Sequence, residues 1–274
     1  MNAQLQRNVL ANIEFTDSPP KITPKPLETL ICLHGIGGDD ESFLPQSIAL
    51  SDQYRVIAWN MPGYRGSLFI ENQSFEMLCE SLLNLLQALN TGPVHLVGQS
   101  IGGMLAQEFT HRHPEFVKSL VLIATTSVFG GRDESFKQAF LQARLKPLNE
   151  GKNMMELATE TVPQITGSKV TENVSNAAIK SMSAVPVDTY RNILKCLVTF
   201  NRREELADIQ CPVCLIAGNE DTNAPSATMK KMSDKLSNSE YHELQGCGHL
   251  VNIEMSDDSN RIIRQFINTH FPDD

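Results

Sequence analysis

Ser100 stands between glycines placed two residues to either side, in the run Val94-His95-Leu96-Val97-Gly98-Gln99-Ser100-Ile101-Gly102-Gly103. A serine hydroxyl becomes a useful nucleophile only where a base can take its proton. The chain has seven histidines that could serve. His111 and His113 fall near the end of the helix expected after Ser100 and read as surface groups there. His95 lies inside a strand-like run, His242 in the alternating run 240–244, and His270 close to the last residue. His34 follows a strand and directly precedes Gly35, a setting that could be mistaken for a catalytic one. His249 sits in Gly246-Cys247-Gly248-His249-Leu250, a glycine-bracketed loop after the last strand-like run, and is the expected base. A histidine in that role needs a carboxylate to hold its ring. Asp221 follows an apolar run in Ala217-Gly218-Asn219-Glu220-Asp221, with Glu220 as its neighbouring rival. The preceding run ends in Ala124-Thr125-Thr126-Ser127, which offers no acid.

Acyl transfer through such a serine also needs donors for a developing oxyanion. The amide of Ile101 would lie in the first turn of a helix, where backbone donors are free and the dipole favours negative charge. Leu33-His34-Gly35-Ile36-Gly37-Gly38 would supply the second donor from a glycine-rich turn, assigned to Ile36. Gly35, Gly37, Phe129 and Leu250 are the residues expected to touch substrate. No metal ligand set and no cofactor motif accompany them.

A glycine–serine–glycine spacing is weak by itself; its meaning depends on a strand that turns directly into a helix. Short runs rich in Val, Ile and Leu occur at 29–33, 55–59, 94–97, 119–124 and 213–217. Continuous apolar character of that kind is expected of strands covered on both faces, as in a parallel sheet. Between them, 75–89 sets Leu78, Leu82, Leu85, Leu86 and Leu89 on one helical face, and 101–112 follows the third run without a loop. The alternation predicts an α/β fold with a doubly wound, mostly parallel sheet. Residues 8–15 are expected to form one edge strand and 16–25 a proline-containing loop.

From 127 to 203 the alternation breaks. Helix-like segments appear around 136–145, 154–161, 174–182 and 189–200, without a strong strand. We expect a helical insertion over the carboxyl edge of the sheet, so that 1–126 and 204–274 make the core and 127–203 a lid. A separate helical domain is the alternative, but no polar linker marks either end. Phe129, Phe136, Phe140 and Phe200 in this segment would favour a partly hydrophobic substrate. Met154, Met155 and Met182 read as pocket or core filler rather than a partner surface.

With 274 residues, the chain can bury about three quarters of its unfolded surface without staples. A net charge of −9 offers no basic stripe to phosphates, which argues against nucleic-acid or anionic-membrane partners. The opening residues lack a basic stretch followed by an apolar run, so no secretory leader is expected. No apolar stretch approaches the length of a membrane span. Six dispersed cysteines fit reduced thiols in the cytoplasm. Cys211-Pro212-Val213-Cys214 has redox or metal-site spacing, yet it lacks a second ligand pair and reads as the start of a buried strand.

Taken together, the motifs HGIGG at 34–38, Asn60-Met61-Pro62-Gly63-Tyr64-Arg65-Gly66-Ser67, GQSIGG at 98–103, GNEDTNAP at 218–225 and GCGHLVNIE at 246–254 resemble the α/β-hydrolase superfamily over nearly the whole chain. The order Ser, Asp, His is the one that superfamily uses. Within it the sequence is most similar to the 3-oxoadipate enol-lactonases and related small carboxylesterases. HGIGG, GGMLAQE at 102–108 and the run from His249 to Glu254 carry that closer likeness.

The resemblance implies a Ser100–His249–Asp221 acyl-enzyme mechanism on a small ester or lactone, no cofactor, and a helical lid between core strands 6 and 7. Tyr64-Arg65 departs from the usual loop pattern there. Leu250 stands where C–C bond hydrolases of the superfamily often have Trp, and Ser100 stands where epoxide and haloalkane relatives have Asp. Cleavage of a vinylogous diketone by the same triad, and a non-catalytic receptor or scaffold, are the alternatives.

Overall fold

The computed structural model describes residues 6–18, 28–130 and 134–272. Its strands are β1 (Gln6–Leu10), β2 (Ile13–Ser18), β3 (Thr29–Leu33), β4 (Arg55–Trp59), β5 (Val94–Gln99), β6 (Val117–Ile123), β7 (Val213–Gly218) and β8 (Ser239–Leu244). They form one sheet in the order β1-β2-β4-β3-β5-β6-β7-β8. From β4 onward all pairings are parallel, and β1 and β2 close one edge antiparallel. The helices of the described residues are α1 (Leu44–Leu50), α2 (Phe75–Leu89), α3 (Ile101–Arg112), α4 (Glu134–Asn149), α5 (Met154–Ile165), α6 (Glu172–Ser183), α7 (Val187–Leu197), α8 (Ser226–Ser233), α9 (Val251–Glu254) and α10 (Ser256–His270).

Every residue of β3, β5 and β7 is buried, which explains their unbroken apolar runs. Alternate side chains serve opposite layers. Leu30 and Cys32 of β3 pack with Leu50 of α1 and Ile263 and Phe266 of α10. Ile31 and Leu33 pack into the larger cluster with Leu82 of α2 and Leu105 of α3. In α2, Leu78, Leu82, Leu85 and Leu86 are buried at three-to-four spacing. Each such leucine contributes about 1.5–3 kcal/mol by leaving water. Ser74 Oγ caps the helix by accepting from Met77 N–H at 3.2 Å, and Asn90 ends it in the left-handed region.

The single edge strand expected at 8–15 is a hairpin instead. Ala11 and Asn12, at φ 50° and 65°, turn the chain between β1 and β2. Two left-handed residues in succession match the twist of a hairpin. Ala-Asn lacks the glycine that normally announces such a turn. Residues 16–18 of the expected loop belong to β2, and 19–25 lie outside the described residues.

Helices α4 to α7 occupy the chain between β6 and β7, close to the helix-like segments expected there. The ends of that segment run side by side. Phe129 N–H donates to Phe200 O at 3.0 Å and Arg202 N–H to Ser127 O at 2.7 Å. Glu108 of α3 adds a second tie by accepting from Arg202 Nε at 2.6 Å and Nη2 at 2.8 Å. Cys214 is buried inside β7 and Cys211 precedes the strand, so the CxxC spacing does not open a helix. Among the described residues no helix is long and apolar enough to cross a membrane.

Candidate active site

The turn from β5 into α3 holds Ser100 at φ 55° and ψ −120°. For a residue with a side chain, such backbone costs about 1–3 kcal/mol and persists only where its surroundings enforce it. Here Ser100 N–H donates to Ile123 O at 2.9 Å, and Ser100 O accepts from Thr125 Oγ1 at 2.7 Å and from Gly103 N–H at 2.9 Å. Glycines are required beside it. A Cβ on Gly98 would fall 2.6 Å from the Cα of Gly103, and one on Gly102 would run into the carbonyl of Leu33. Their absence lets α3 lie against β5 and β3 so that Ser100 projects from the carboxyl end of the sheet.

Ser100, His249 and Asp221, predicted from three distant parts of the chain, meet in one hydrogen-bonded chain. Ser100 Oγ lies 3.0 Å from His249 Nε2, and His249 Nδ1 lies 2.8 Å from Asp221 Oδ2. Asp221 Oδ1 accepts from Asn223 N–H at 2.8 Å and Ala224 N–H at 3.0 Å. Burial pulls the Asp221 pKa upward, but the charge of His249 and the hydrogen bonds from His249 and the two amides outweigh it and hold the pKa below the ordinary value. An ionised Asp221 can only accept, so the neutral form of His249 carries its proton on Nδ1 and turns the Nε2 lone pair to the serine hydroxyl. The rival Glu220 is exposed and accepts from Ser168 N–H at 2.6 Å and Ser168 Oγ–H at 2.8 Å, away from the histidine.

His34 is fully buried and does not meet Ser100 through its ring. Its Nδ1 lies 2.8 Å from Gly35 O, and its Nε2 accepts from Met61 N–H at 3.0 Å. Burial lowers its pKa, so a neutral ring pins the glycine loop to the segment behind it. A second serine–histidine–acid series also exists. His95 Nδ1 is 2.7 Å from Ser119 Oγ, and Nε2 is 3.4 Å from Glu28 Oε2, an ion-pair distance. The contact with His95 lowers the Glu28 pKa; burial opposes this, and Lys118 lowers it further, giving about 2. Ser119 and His95 are both 0% exposed, so no substrate reaches them and this series is structural.

Two positioning residues were not foreseen from sequence. Gln99 Nε2 donates to His249 O at 2.9 Å, joining the Ser100 turn to the histidine loop. Glu254 accepts from Gly248 N–H at 2.9 Å, Leu250 N–H at 2.8 Å and Gly167 N–H at 2.6 Å. One carboxylate thus holds both neighbours of His249 and the turn between α5 and α6. The spacing of Glu254, four residues after Leu250, was visible as part of the GCGHLVNIE motif, but its amide partners were not. Charge-assisted bonds of this kind contribute about 1.5–3 kcal/mol each. For Glu254→Gln, thermal unfolding should show a midpoint about 4–8 °C lower, and hydrogen exchange should show faster opening at Gly248 and Leu250. Unchanged exchange there would remove Glu254 from this role.

The Ser100 hydroxyl faces a cavity of about 300 Å³. Gly35, Ile36, Gly37, Phe129 and Leu250 line it, as do Phe136 and Phe140. Phe200 does not; it is buried against Phe75, with ring centroids 4.9 Å apart. Ile101 opens α3, where its N–H has no intrahelical partner. Ile36 is anchored through its carbonyl, which accepts from Tyr64 OH at 2.7 Å, leaving its amide to the glycine turn. The walls come from loops after β3, β5, β6, β7 and β8 and from α4 to α7. Ser100, His249 and Asp221 thus lie at one end of a mostly apolar chamber.

Known proteins are similar to this chain in sequence and in fold. The chain is 25% identical over 247 residues to 3-oxoadipate enol-lactonase 1 of Acinetobacter baylyi, covering 89% of this chain and 90% of that protein. Among solved structures, a thermophilic esterase from Thermogutta terrifontis, with malate bound, superposes with a TM-score of 0.86 at 20% identity, covering 97% of this chain and 99% of that one. The enol-lactonase of Burkholderia xenovorans does so with a TM-score of 0.81 at 18% identity, covering 96% and 100%. The family profile described as alpha/beta hydrolase fold matches residues 28–255. By that match across most of its length, the chain belongs to the α/β-hydrolase fold family.

Proposed function

We propose that this α/β hydrolase cleaves a small carboxylic ester or lactone through an acyl-enzyme on Ser100. His249 Nε2 takes the hydroxyl proton as Ser100 Oγ attacks the carbonyl carbon. The tetrahedral oxyanion is stabilised by the amides of Ile36 and Ile101. Collapse breaks the bond to the leaving oxygen, which receives the proton from His249. A water molecule then gives its proton to His249 and attacks the acyl carbon, and the acid leaves with Ser100 regenerated. Asp221 holds the ring and stabilises its charged form between the two proton transfers. The segment 127–203 acts as the lid over the chamber, and the cycle calls for no cofactor.

The observation that carries this reading is the hydrogen-bonded series Ser100–His249–Asp221, with contacts of 3.0 and 2.8 Å, opening on an apolar cavity. The similarity to an enol-lactonase and an esterase supports ester or lactone chemistry. Incubation with an active-site-directed fluorophosphonate, followed by mass spectrometry of the adduct, tests it beside a short-chain p-nitrophenyl ester assay. Labelling is expected at Ser100 together with ester turnover. A folded protein that takes no label overturns the nucleophile assignment and brings the receptor reading forward.

A further inference from the structure

Three side chains able to ligate a metal converge at the edge of the sheet opposite the β1–β2 hairpin. Cys214 lies on β7, and Glu240 and His242 lie on the edge strand β8, which pairs only with β7. The parallel register sets Cys214 opposite Glu240. His242, two residues on, shares the face of Glu240, because side chains alternate along a strand. One ligand atom from each of the three lies within 4.8 Å of the other two, and His242 Nε2 is 3.0 Å from Glu240 Oε1. Among the described residues this is the one group of three histidine, cysteine or acidic side chains that comes so close.

The three donors differ in access. Cys214 is 0% exposed, while the side chains of Glu240 and His242 are 38% and 35% exposed. A metal ion can therefore enter from solvent past the carboxylate and the imidazole to reach a sheltered sulfur. Of the pair Cys211 and Cys214, only Cys214 takes part. The ligand pair that the CxxC spacing lacks along the chain is supplied across the strands, by Glu240 and His242.

We infer that Cys214, Glu240 and His242 form a binding site for a divalent transition-metal ion, with zinc as the best match. Thiolate, imidazole and carboxylate are the side-chain ligands that zinc takes, whereas magnesium and calcium call for oxygen donors. Tetrahedral zinc holds such atoms about 3.3–3.6 Å apart. Small side-chain rotations would close the cluster to that size and leave the fourth position to water. The ligand is the thiolate, so binding releases the Cys214 proton to solvent. Burial and the neighbouring Glu240 hold that thiol's pKa well above its ordinary value, so the proton is present to be released. The site stands apart from the Ser100 chemistry. Cys214 and Glu240 lie near the amino ends of β7 and β8, and the Asp221 and His249 loops leave the opposite ends. A bound metal would fasten the edge strand to its one neighbour.

Cobalt(II) is the spectroscopic probe and zinc the competitor. Titration of chelator-treated protein with Co²⁺ should show one equivalent bound, with a thiolate-to-cobalt charge-transfer band and the visible bands of a tetrahedral ion. Zn²⁺ should erase both. Cys214→Ser should abolish the charge-transfer band. His242→Gln and Glu240→Gln, at partly exposed positions, should each weaken Zn²⁺ binding by more than the factor of about 10–100 lost with an outer-shell partner. Saturating Zn²⁺ should raise the unfolding midpoint of the wild type by about 5 °C and leave that of His242→Gln nearly unchanged. Co²⁺ bound without a thiolate band, or with a band that survives in Cys214→Ser, is adventitious binding and overturns the inference. Zn²⁺ affinity unchanged in both β8 variants overturns it as well. If Cys214→Ser fails to fold, the wild-type spectrum and the two β8 variants decide the question by themselves.

Discussion

Ser100→Gly protein should melt at a higher temperature than the wild type while losing ester turnover by about a factor of 10⁶. The two effects have different origins. At φ 55° and ψ −120° the serine occupies backbone space that glycine tolerates and other residues resist. Relief of about 1–3 kcal/mol of strain exceeds the roughly 0.5–1 kcal/mol that glycine's extra freedom adds to the unfolded chain. A net gain of about 1 kcal/mol corresponds to a rise of about 2–4 °C. Loss of turnover follows from loss of the hydroxyl 3.0 Å from His249 Nε2. Ser100→Ala separates these contributions, because alanine removes the hydroxyl but keeps the Cβ that makes the turn costly. It should be equally inactive without the stabilisation. Thermal unfolding of the three proteins, beside a p-nitrophenyl ester assay, measures both. Equal melting points for the alanine and glycine variants would mean that the turn stores no strain, and full turnover in either would remove Ser100 from the chemistry.

Asp221→Asn should lower kcat/KM by about 10⁴ with little change in folding. Asparagine keeps an oxygen that can accept from the amides of Asn223 and Ala224, which anchor the aspartate at 2.8 and 3.0 Å. Its amide nitrogen then faces His249 Nδ1, where the carboxylate oxygen had been. Two donors cannot share that contact, so the imidazole moves its proton to Nε2. The lone pair that should receive the serine proton disappears, and a donor faces the hydroxyl. Circular dichroism would establish that the fold is kept while the ester assay records the loss. Near-normal activity would disqualify Asp221 and return attention to Glu220, whose carboxylate would have to leave Ser168 to reach His249.

The contrast between the two serine–histidine–acid series shows why such a constellation cannot be judged from distances alone. Ser119, His95 and Glu28 lie close together, yet the serine and the ring are wholly enclosed. Ser100 differs because its turn lifts it to the wall of a cavity and a helix terminus supplies a free amide beside it.

The amino-acid sequence determined those features that depend on neighbours along the chain. Continuous apolar runs marked the parallel strands, since burial on both faces leaves no room for polar alternation. The glycines at 98 and 102 marked the strand-to-helix turn, because any side chain there collides with backbone. Leucine spacing marked α2. Other features depended on which distant surfaces meet. The break at Ala11–Asn12 was hidden because alanine carries no turn signal, and only pairing of β1 with β2 reveals it.

Phe129 and Phe200 were alike in the sequence, but one lines the cavity and the other packs on Phe75. Glu254 was one acidic residue on a short helix until three amides from two segments converged on it. Arg144 was one arginine of a helix-like stretch until the fold turned it to the wall of the cavity in front of Ser100. Local pattern follows from covalent geometry and burial over a few residues, and so it is written in the chain. The partners of a side chain, and whether it faces solvent, core or cavity, are decided by packing between elements far apart in the chain, 150 residues in the case of Gln99 and His249, and only the tertiary structure holds that information.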